Sequence, residues 1–317
     1  MKYWIRAGQI AQEGEFMAEN TSQRMQLQRL FEEEIEDMEL QDPGYSGHAS
    51  NVWIVRTPSG ESVVRSSRLE QEPDHEFWWG CHFLFGIDPR YMIHFEKNSE
   101  LLNTIPDIPA PKILSKAELD GKEYLVVEKM RGKAMESFTD QPEELLWQFG
   151  VWLAKVHRSR ANFFGNIAKT RTEHKDRFHM RLAEAIRTMA EREYPEDSKI
   201  RKMAGEILEE LESLPVPDWF CPILPDMDSS QFLSEDGRIT AIVDIEAYAV
   251  GPRIFDFIGL EYVFDKEASG PFLEGYRSVL DVPSLSGYRK VYRYFYLLLG
   301  VQGSVDPDEW LAQPELF

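Results

Sequence analysis

Leu224-Pro225-Asp226-Met227-Asp228-Ser229-Ser230-Gln231-Phe232-Leu233 leads into the turn Glu235-Asp236-Gly237 and then into Ile239-Thr240-Ala241-Ile242-Val243-Asp244-Ile245-Glu246, with Asp256 further on. An acid, Asp226, precedes an amide, Gln231, by five positions, and a second acid, Asp244, closes an apolar strand 18 positions after the first. An Asp-Gly pair between two short apolar runs predicts a hairpin. That hairpin would return two carboxylates and an amide to one place. Their oxygens are the donors Mg²⁺ prefers, and Mg²⁺ is what a transferring phosphate needs. Glu246 falls on the same side of the strand as Asp244 and is a further candidate donor.

Upstream, residues 21–41 carry Met25, Leu27, Leu30, Phe31, Ile35, Met38 and Leu40 among many charges, and predict a helix with Glu32-Glu33-Glu34 on its solvated face. Asp42-Pro43-Gly44-Tyr45-Ser46-Gly47 breaks it. Asn51-Val52-Trp53-Ile54-Val55 and Ser62-Val63-Val64-Arg65 flank Thr57-Pro58-Ser59-Gly60, a hairpin signal. Residues 76–95 are aromatic-rich and are assigned to no element. A helix is expected over 94–103, ended by Pro106, Pro109 and Pro111, then a strand near 112–115, a turn at Asp120-Gly121 and a strand over 123–128.

After Gly132 the pattern turns helical. Residues 141–158 are apolar nearly all round through Leu146, Phe149, Gly150, Leu153 and Val156, which predicts a buried helix. Residues 176–193 and 198–214 are amphipathic. Two helices are expected after Asp256, one holding Tyr292-Arg293-Tyr294-Phe295-Tyr296, an aromatic run that reads as core. Strands first and helices after indicate an α+β chain. The expected division is an N-terminal lobe of residues 1–130 and a helical lobe of residues 131–317 that carries the hairpin at 220–256.

The chain has 317 residues and a formal charge of −20, which disfavours nucleic acid and anionic membranes as partners. Net negative charge chiefly serves solubility and is compatible with a cationic substrate. There is no apolar run of membrane-helix length and no apolar signal segment after Met1. Two cysteines, Cys81 and Cys221, build no disulfide framework, so a reduced, cytoplasmic protein is expected.

At the level of these motifs the chain resembles the aminoglycoside phosphotransferase and choline kinase group, which has the two-lobed protein-kinase-like fold. Asp226 matches the Asp of that family's His-Gly-Asp segment and Asp244 its second Asp. Gly251-Pro252 with Asp256 matches its Gly-Asp-Pro…Asp segment, and Leu153-Ala154-Lys155-Val156-His157 its Leu-Ala-x-Leu-His helix. The resemblance spans roughly residues 40–262. It implies a small-molecule kinase that uses ATP or GTP with Mg²⁺. Asp226 would be the base, and Gln231 and Asp244 the metal ligands. Gly44, Ser46 and Gly47 would form the nucleotide loop. Arg65 would contact phosphates and pair with Glu96, and Glu128 to Met130 would form a hinge that reads the base. Asp256 would hold the catalytic loop by hydrogen bonds, and the helical lobe after residue 160 would hold the small hydroxyl acceptor.

The chain departs from the family at Leu224-Pro225, which replaces His-Gly, at Gln231, which replaces Asn, and at Arg65, which replaces Lys. The extra methylene of Gln displaces a ligand oxygen by about 1 to 1.5 Å on a fixed backbone, which matters for octahedral Mg²⁺. Three readings therefore stand side by side. One is a kinase. Another is a non-catalytic binding protein on the same fold. The third is a phosphohydrolase using Asp226-Met227-Asp228. Asp228 also stands as a rival to Asp226, and His157, on the buried helix, reads as a satisfied core histidine.

Overall fold

A computed structural model describes residues 21–42 and 47–317. The chain divides into two compact units, Met1–Arg68 with Ile113–Lys129, and Leu69–Lys112 with Met130–Phe317.

The smaller unit begins with helix α1 (residues 21–28) and continues into β1 (Asp37–Leu40), β2 (Ser50–Thr57), β3 (Gly60–Ser67), β4 (Ile113–Leu119) and β5 (Lys122–Glu128). These strands form one antiparallel sheet in the order β1-β2-β3-β5-β4. Asp120 and Gly121 turn at φ 55° and 80°, the left-handed pair that a two-residue hairpin requires and that Asp and Gly tolerate. Trp53, Val55, Val64, Tyr124 and Val126 form the core, which Leu27 and Ile35 help to close.

The helix expected over 21–41 is shorter than its apolar period suggested. Gln28 accounts for the stop. Its side-chain oxygen accepts from the Ile35 N–H at 2.9 Å, and its amide donates to the Glu33 carbonyl at 2.7 Å. The chain doubles back there, Ile35 enters the core, and Asp37–Leu40 pairs with β2 as an edge strand.

In the larger unit, α2 (Glu76–Phe85) and α3 (Ile93–Leu102) interrupt the expected N-terminal lobe, because residues 69–112 cluster with the helical part of the chain. Apolar residues cover nearly every face of α2, which is why no period was legible. Gly80 admits its neighbours closely, since a Cβ there would stand 2.5 Å from Leu299. Trp79 and Phe83 stack at 5.0 Å, and the guanidinium groups of Arg192 and Arg181 lie over them at 5.1 and 5.0 Å.

The chain continues through α4 (Glu143–His157), α5 (Phe178–Glu193), α6 (Lys199–Ser213), α7 (Ile254–Val263), α8 (Lys266–Arg277), α9 (Arg289–Leu299) and α10 (Pro307–Leu311). More helices follow Asp256 than the two expected. Gly270, Pro271 and Gly275 inside α8 obscure its helical signature. The glycines mark a close crossing: a Cβ on Gly150 or Gly275 would come within 2.1 Å of the backbone of the facing helix. Tyr292 to Tyr296 are buried, as the core reading expected.

Two small sheets complete this unit. One is β11-β10-β6, from β6 (Lys133–Ala134), β10 (Phe232–Glu235) and β11 (Arg238–Ile242). The other is β8-β7-β12-β9, from β7 (Phe163–Asn166), β8 (Thr172–His174), β9 (Phe220–Ile223) and β12 (Ala249–Pro252). The C-terminal segment is clamped from below. Buried Arg293 donates to Glu261 at 2.7 Å and to the carbonyls of Leu311 and Gln313 at 2.9 and 2.7 Å. Trp310 stacks on Tyr262 at 3.7 Å.

Candidate active site

Strand β9 delivers the chain to Leu224, whose N–H donates to Asp256 Oδ1 at 2.8 Å. Asp256 lies in the first turn of α7 with no exposed surface. His157 Nε2 donates to its other oxygen at 3.0 Å, and His157 Nδ1 accepts from the Tyr276 hydroxyl at 2.8 Å. Every polar atom in this chain of contacts has a partner, which a fully buried carboxylate requires. The loop is thus anchored at its first residue although Leu224 and Pro225 replace the family's His-Gly. His157 is satisfied within the core.

Asp228 then caps a single 3-10 turn, Ser229–Gln231. Its Oδ1 accepts from the Ser230 N–H at 2.8 Å and from the Ser230 hydroxyl at 2.5 Å. Asp228 is engaged as a turn residue, which weakens its standing as a rival to Asp226. Gln231, only 3% exposed, donates from Nε2 to Asp226 Oδ2 at 3.0 Å. Its side-chain oxygen is buried with no hydrogen-bond partner among the described residues.

The hairpin brings Asp244 to the same place. Phe232 pairs with Ile242 across β10 and β11, and the Val243 N–H donates to the Gln231 carbonyl at 2.7 Å. Asp236 and Gly237 make the turn at φ 51° and 72°. Asp244 is exposed and holds φ 53°, a left-handed conformation that Asp tolerates better than most side chains. Glu246, two residues on, is buried.

This crowding has an electrostatic consequence. Burial, then the charges of Asp244 and Asp228, push the Asp226 carboxyl from its ordinary 3.8 to about 7; Glu246 adds to the rise, and the bond from Gln231 opposes it. Part of Asp226 opens into a small, partly open cleft with room for about one water. The cleft is walled by Met227, Asp228, Tyr262, Tyr296, Val301 and Gln302 among others. The tyrosines and Gln302 were not legible as site residues. Tyr296 belongs to the aromatic run that reads as core, and it serves both roles.

The remaining expected site residues are placed by element. Arg65 is buried mid-strand in β3, between Val52 and Leu125. Glu128 ends β5 opposite Ser62. Glu96 lies in the first turn of α3, half-buried, and Met130 begins the last segment of the larger unit. Gly47 stands in a turn before β2, whereas Gly44 and Ser46 fall outside the described residues.

The candidate donors, a buried carboxamide oxygen without a partner on Gln231 and the exposed carboxylate of Asp244, are oxygens of the kind a hard cation takes. Among the described residues no three His, Cys, Asp or Glu side chains could hold an ion by themselves. A Mg²⁺ ion here would need phosphate oxygens and water to complete its shell, as is usual for that ion.

The sequence profile of the phosphotransferase enzyme family, APH, matches residues 44–292. No curated protein sequence matches the chain. Solved structures share the fold at low identity. The GDP complex of wild-type aminoglycoside 2'-phosphotransferase-IIIa is 15% identical, with a TM-score of 0.62 over 92% of this chain and 94% of that one. Macrolide 2'-phosphotransferase MphH from Brachybacterium faecium, as apoenzyme, is 15% identical with a TM-score of 0.60, covering 91% and 97%. A thermostable mutant of aminoglycoside phosphotransferase APH(4)-Ia, in a ternary complex with ADP and hygromycin B, is 14% identical with a TM-score of 0.55, covering 87% and 88%.

Proposed function

The chain belongs to the phosphotransferase enzyme family, and we propose that it is a small-molecule kinase that moves the γ-phosphoryl group of ATP or GTP to an acceptor hydroxyl. The observation that carries this reading is the joined set of Asp226, Gln231 and Asp244. One side chain, Gln231, donates to Asp226 through its nitrogen and keeps a buried oxygen without a partner among the described residues, and the charge of Asp244 acts on the same Asp226 carboxyl.

In this reading Asp226 orients the acceptor hydroxyl and takes its proton as the phosphoryl group arrives. Its raised proton affinity suits that task near neutral pH. Gln231 Oε1 and Asp244 would hold Mg²⁺, which supplies charge neutralisation to the phosphates. The bond from Gln231 Nε2 keeps the Asp226 carboxylate turned toward the cleft. Arg65, Glu96 and Gly47, with Gly44 and Ser46, would contact or support the nucleotide, and Glu128 to Met130 would read its base.

In this reading the acceptor hydroxyl would approach Asp226 from the side of this small cleft. Asp226 and Asp228 line it, and no basic side chain does, which favours a neutral or cationic acceptor over an anion. Among the described residues no helix is long and apolar enough to cross a membrane.

Calorimetric titration with ATP and GTP, each with Mg²⁺ and with EDTA, tests the reading, followed by an ADP-release screen of hydroxyl compounds. Nucleotide binding that needs Mg²⁺ and is lost in Asp244→Ala supports a kinase. Metal-independent binding without turnover on any acceptor supports the non-catalytic alternative.

A further inference from the structure

Asn98 sits in the middle of α3, a position where Asn is a poor helix former. It is 1% exposed. A buried amide in a helix interior needs partners. It finds them on the acidic loop that follows β11. Asn98 Nδ2 donates to the Ile245 carbonyl at 2.7 Å and to the Glu246 carbonyl at 3.3 Å. Both partners are carbonyl oxygens, so the nitrogen must face them and the amide orientation is fixed by chemistry. The Ile245 carbonyl also accepts from the Tyr248 N–H at 3.3 Å, so Asn98 clips onto a turn that is already closed.

The helix that carries Asn98 is itself tied down on the neighbouring position. Ser99 Oγ donates to the Pro111 carbonyl at 2.6 Å, and Asn103 exchanges bonds with the Ala110 backbone at 3.0 and 3.2 Å. The same segment reaches the hairpin directly, since the Ile242 N–H donates to the Pro109 carbonyl at 3.0 Å. The backbone on both sides of Asp244 is therefore tied to one neighbouring segment: Ile242 through Pro109, and Ile245 and Glu246 through Asn98. Asp244 is the exposed residue between these anchors, held at φ 53°.

We propose that Asn98 is a positioning residue that sets where Asp244 presents its carboxylate to a nucleotide-bound Mg²⁺ ion. The inference rests on the kinase reading. It adds that metal affinity in this protein is controlled from α3, by a side chain that touches neither metal nor nucleotide.

Outer groups that orient a ligand typically alter metal affinity by about 10- to 100-fold. The test is calorimetric titration of wild type, Asn98→Leu and Asn98→Asp with ADP and with GDP, each in Mg²⁺ and in EDTA. Asn98→Asp keeps the side-chain size and loses both donors but adds a buried carboxylate, so its result is read together with that of the uncharged Asn98→Leu, and urea unfolding of each variant first establishes that it is folded. Both variants are expected to weaken the Mg²⁺-dependent affinity about 10-fold and to leave affinity in EDTA unchanged. An equal loss in Mg²⁺ and EDTA would make Asn98 merely structural, and unchanged affinity in Mg²⁺ would remove its role; either result overturns the proposal. If wild type itself gains no affinity from Mg²⁺, the kinase reading fails first and takes this inference with it.

Discussion

Replacing Asp226, the proposed base, should stabilise the protein while ending the proposed phosphoryl transfer. In Asp226→Asn the carbonyl oxygen can still accept the bond from Gln231 Nε2, so the local geometry is kept and only the charge is removed. That charge is held against burial and against Asp244, Asp228 and Glu246, which together raise the carboxyl from 3.8 to about 7. A rise of about 3 units corresponds to about 4 kcal/mol of unfavourable interaction in the ionised form. Because the cleft leaves part of Asp226 open to water, solvent screening reduces this, and about 2 kcal/mol is expected.

The sign follows from proton linkage. The unfolded chain releases this proton above its ordinary 3.8, whereas the folded protein keeps it until about 7. Between those values the folded state binds more protons, so the stability of the wild type falls as pH rises through that window. Asparagine has nothing to titrate. The gap between variant and wild type should therefore open from about pH 4.5 and level off above about pH 7. Urea unfolding in EDTA at several pH values measures it directly. Adding Mg²⁺ should narrow the gap, because a cation at Asp244 relieves the repulsion. A gap independent of pH, or a destabilised variant at about pH 8, would refute the argument that Asp226 carries trapped charge.

Three further outcomes are expected. Asp256→Ala strands the Leu224 N–H and His157 Nε2 in the core and should cost about 3 to 5 kcal/mol in urea unfolding, whereas Asp256→Asn, which keeps one oxygen, should cost about half as much; equal costs would count against the geometry. His94 accepts from the Asp88 N–H at 3.2 Å, and burial is the main cause that lowers it from 6.5 to about 4. The His94 contribution to stability should therefore be level above about pH 6.5, fall by up to about 3 kcal/mol towards pH 4 and level off below it, opposing the Asp226 contribution over that window, and His94→Gln should remove it from a pH series of melts. Trp310→Ala removes the stack on Tyr262 and the bond to the Arg293 carbonyl and should destabilise by about 3 to 5 kcal/mol in chemical unfolding; a loss below about 1 kcal/mol would show that the C-terminal segment does not brace that wall of the cleft.

The hairpin was legible because its signals are local. Asp236-Gly237 can make a two-residue turn whatever surrounds it, and the strands it joins bring Gln231 back to Val243, next to Asp244, after a register shift between Leu233 and Ser234 that the strand period does not announce. The β2–β3 and β4–β5 hairpins were readable for the same reason. What was not legible depends on contacts distant in sequence. The end of α1 is decided by Gln28 reaching residues 33 and 35, which no apolar period records. Helix α2 buries one face, Phe77, Gly80, Cys81, Leu84 and Phe85, but its other face carries the half-buried aromatics Trp78, Trp79 and Phe83, so apolar residues run nearly all round and hide the period.

Asn98 is the instructive case. It and Ile245 are 147 positions apart, and nothing near either residue announces the other. Its one local sign is a mismatch: a buried, helix-unfavourable amide among residues chosen for packing. The same kind of mismatch marks Gln231, whose buried oxygen lacks a partner. Motif spacing located the carboxylates, but the side chains that govern them show themselves as local preferences overruled. A partner explains Asn98. Gln231 keeps an oxygen that nothing in the described protein satisfies, and for that reason the case for a bound cation rests on Gln231 more heavily than on either acid.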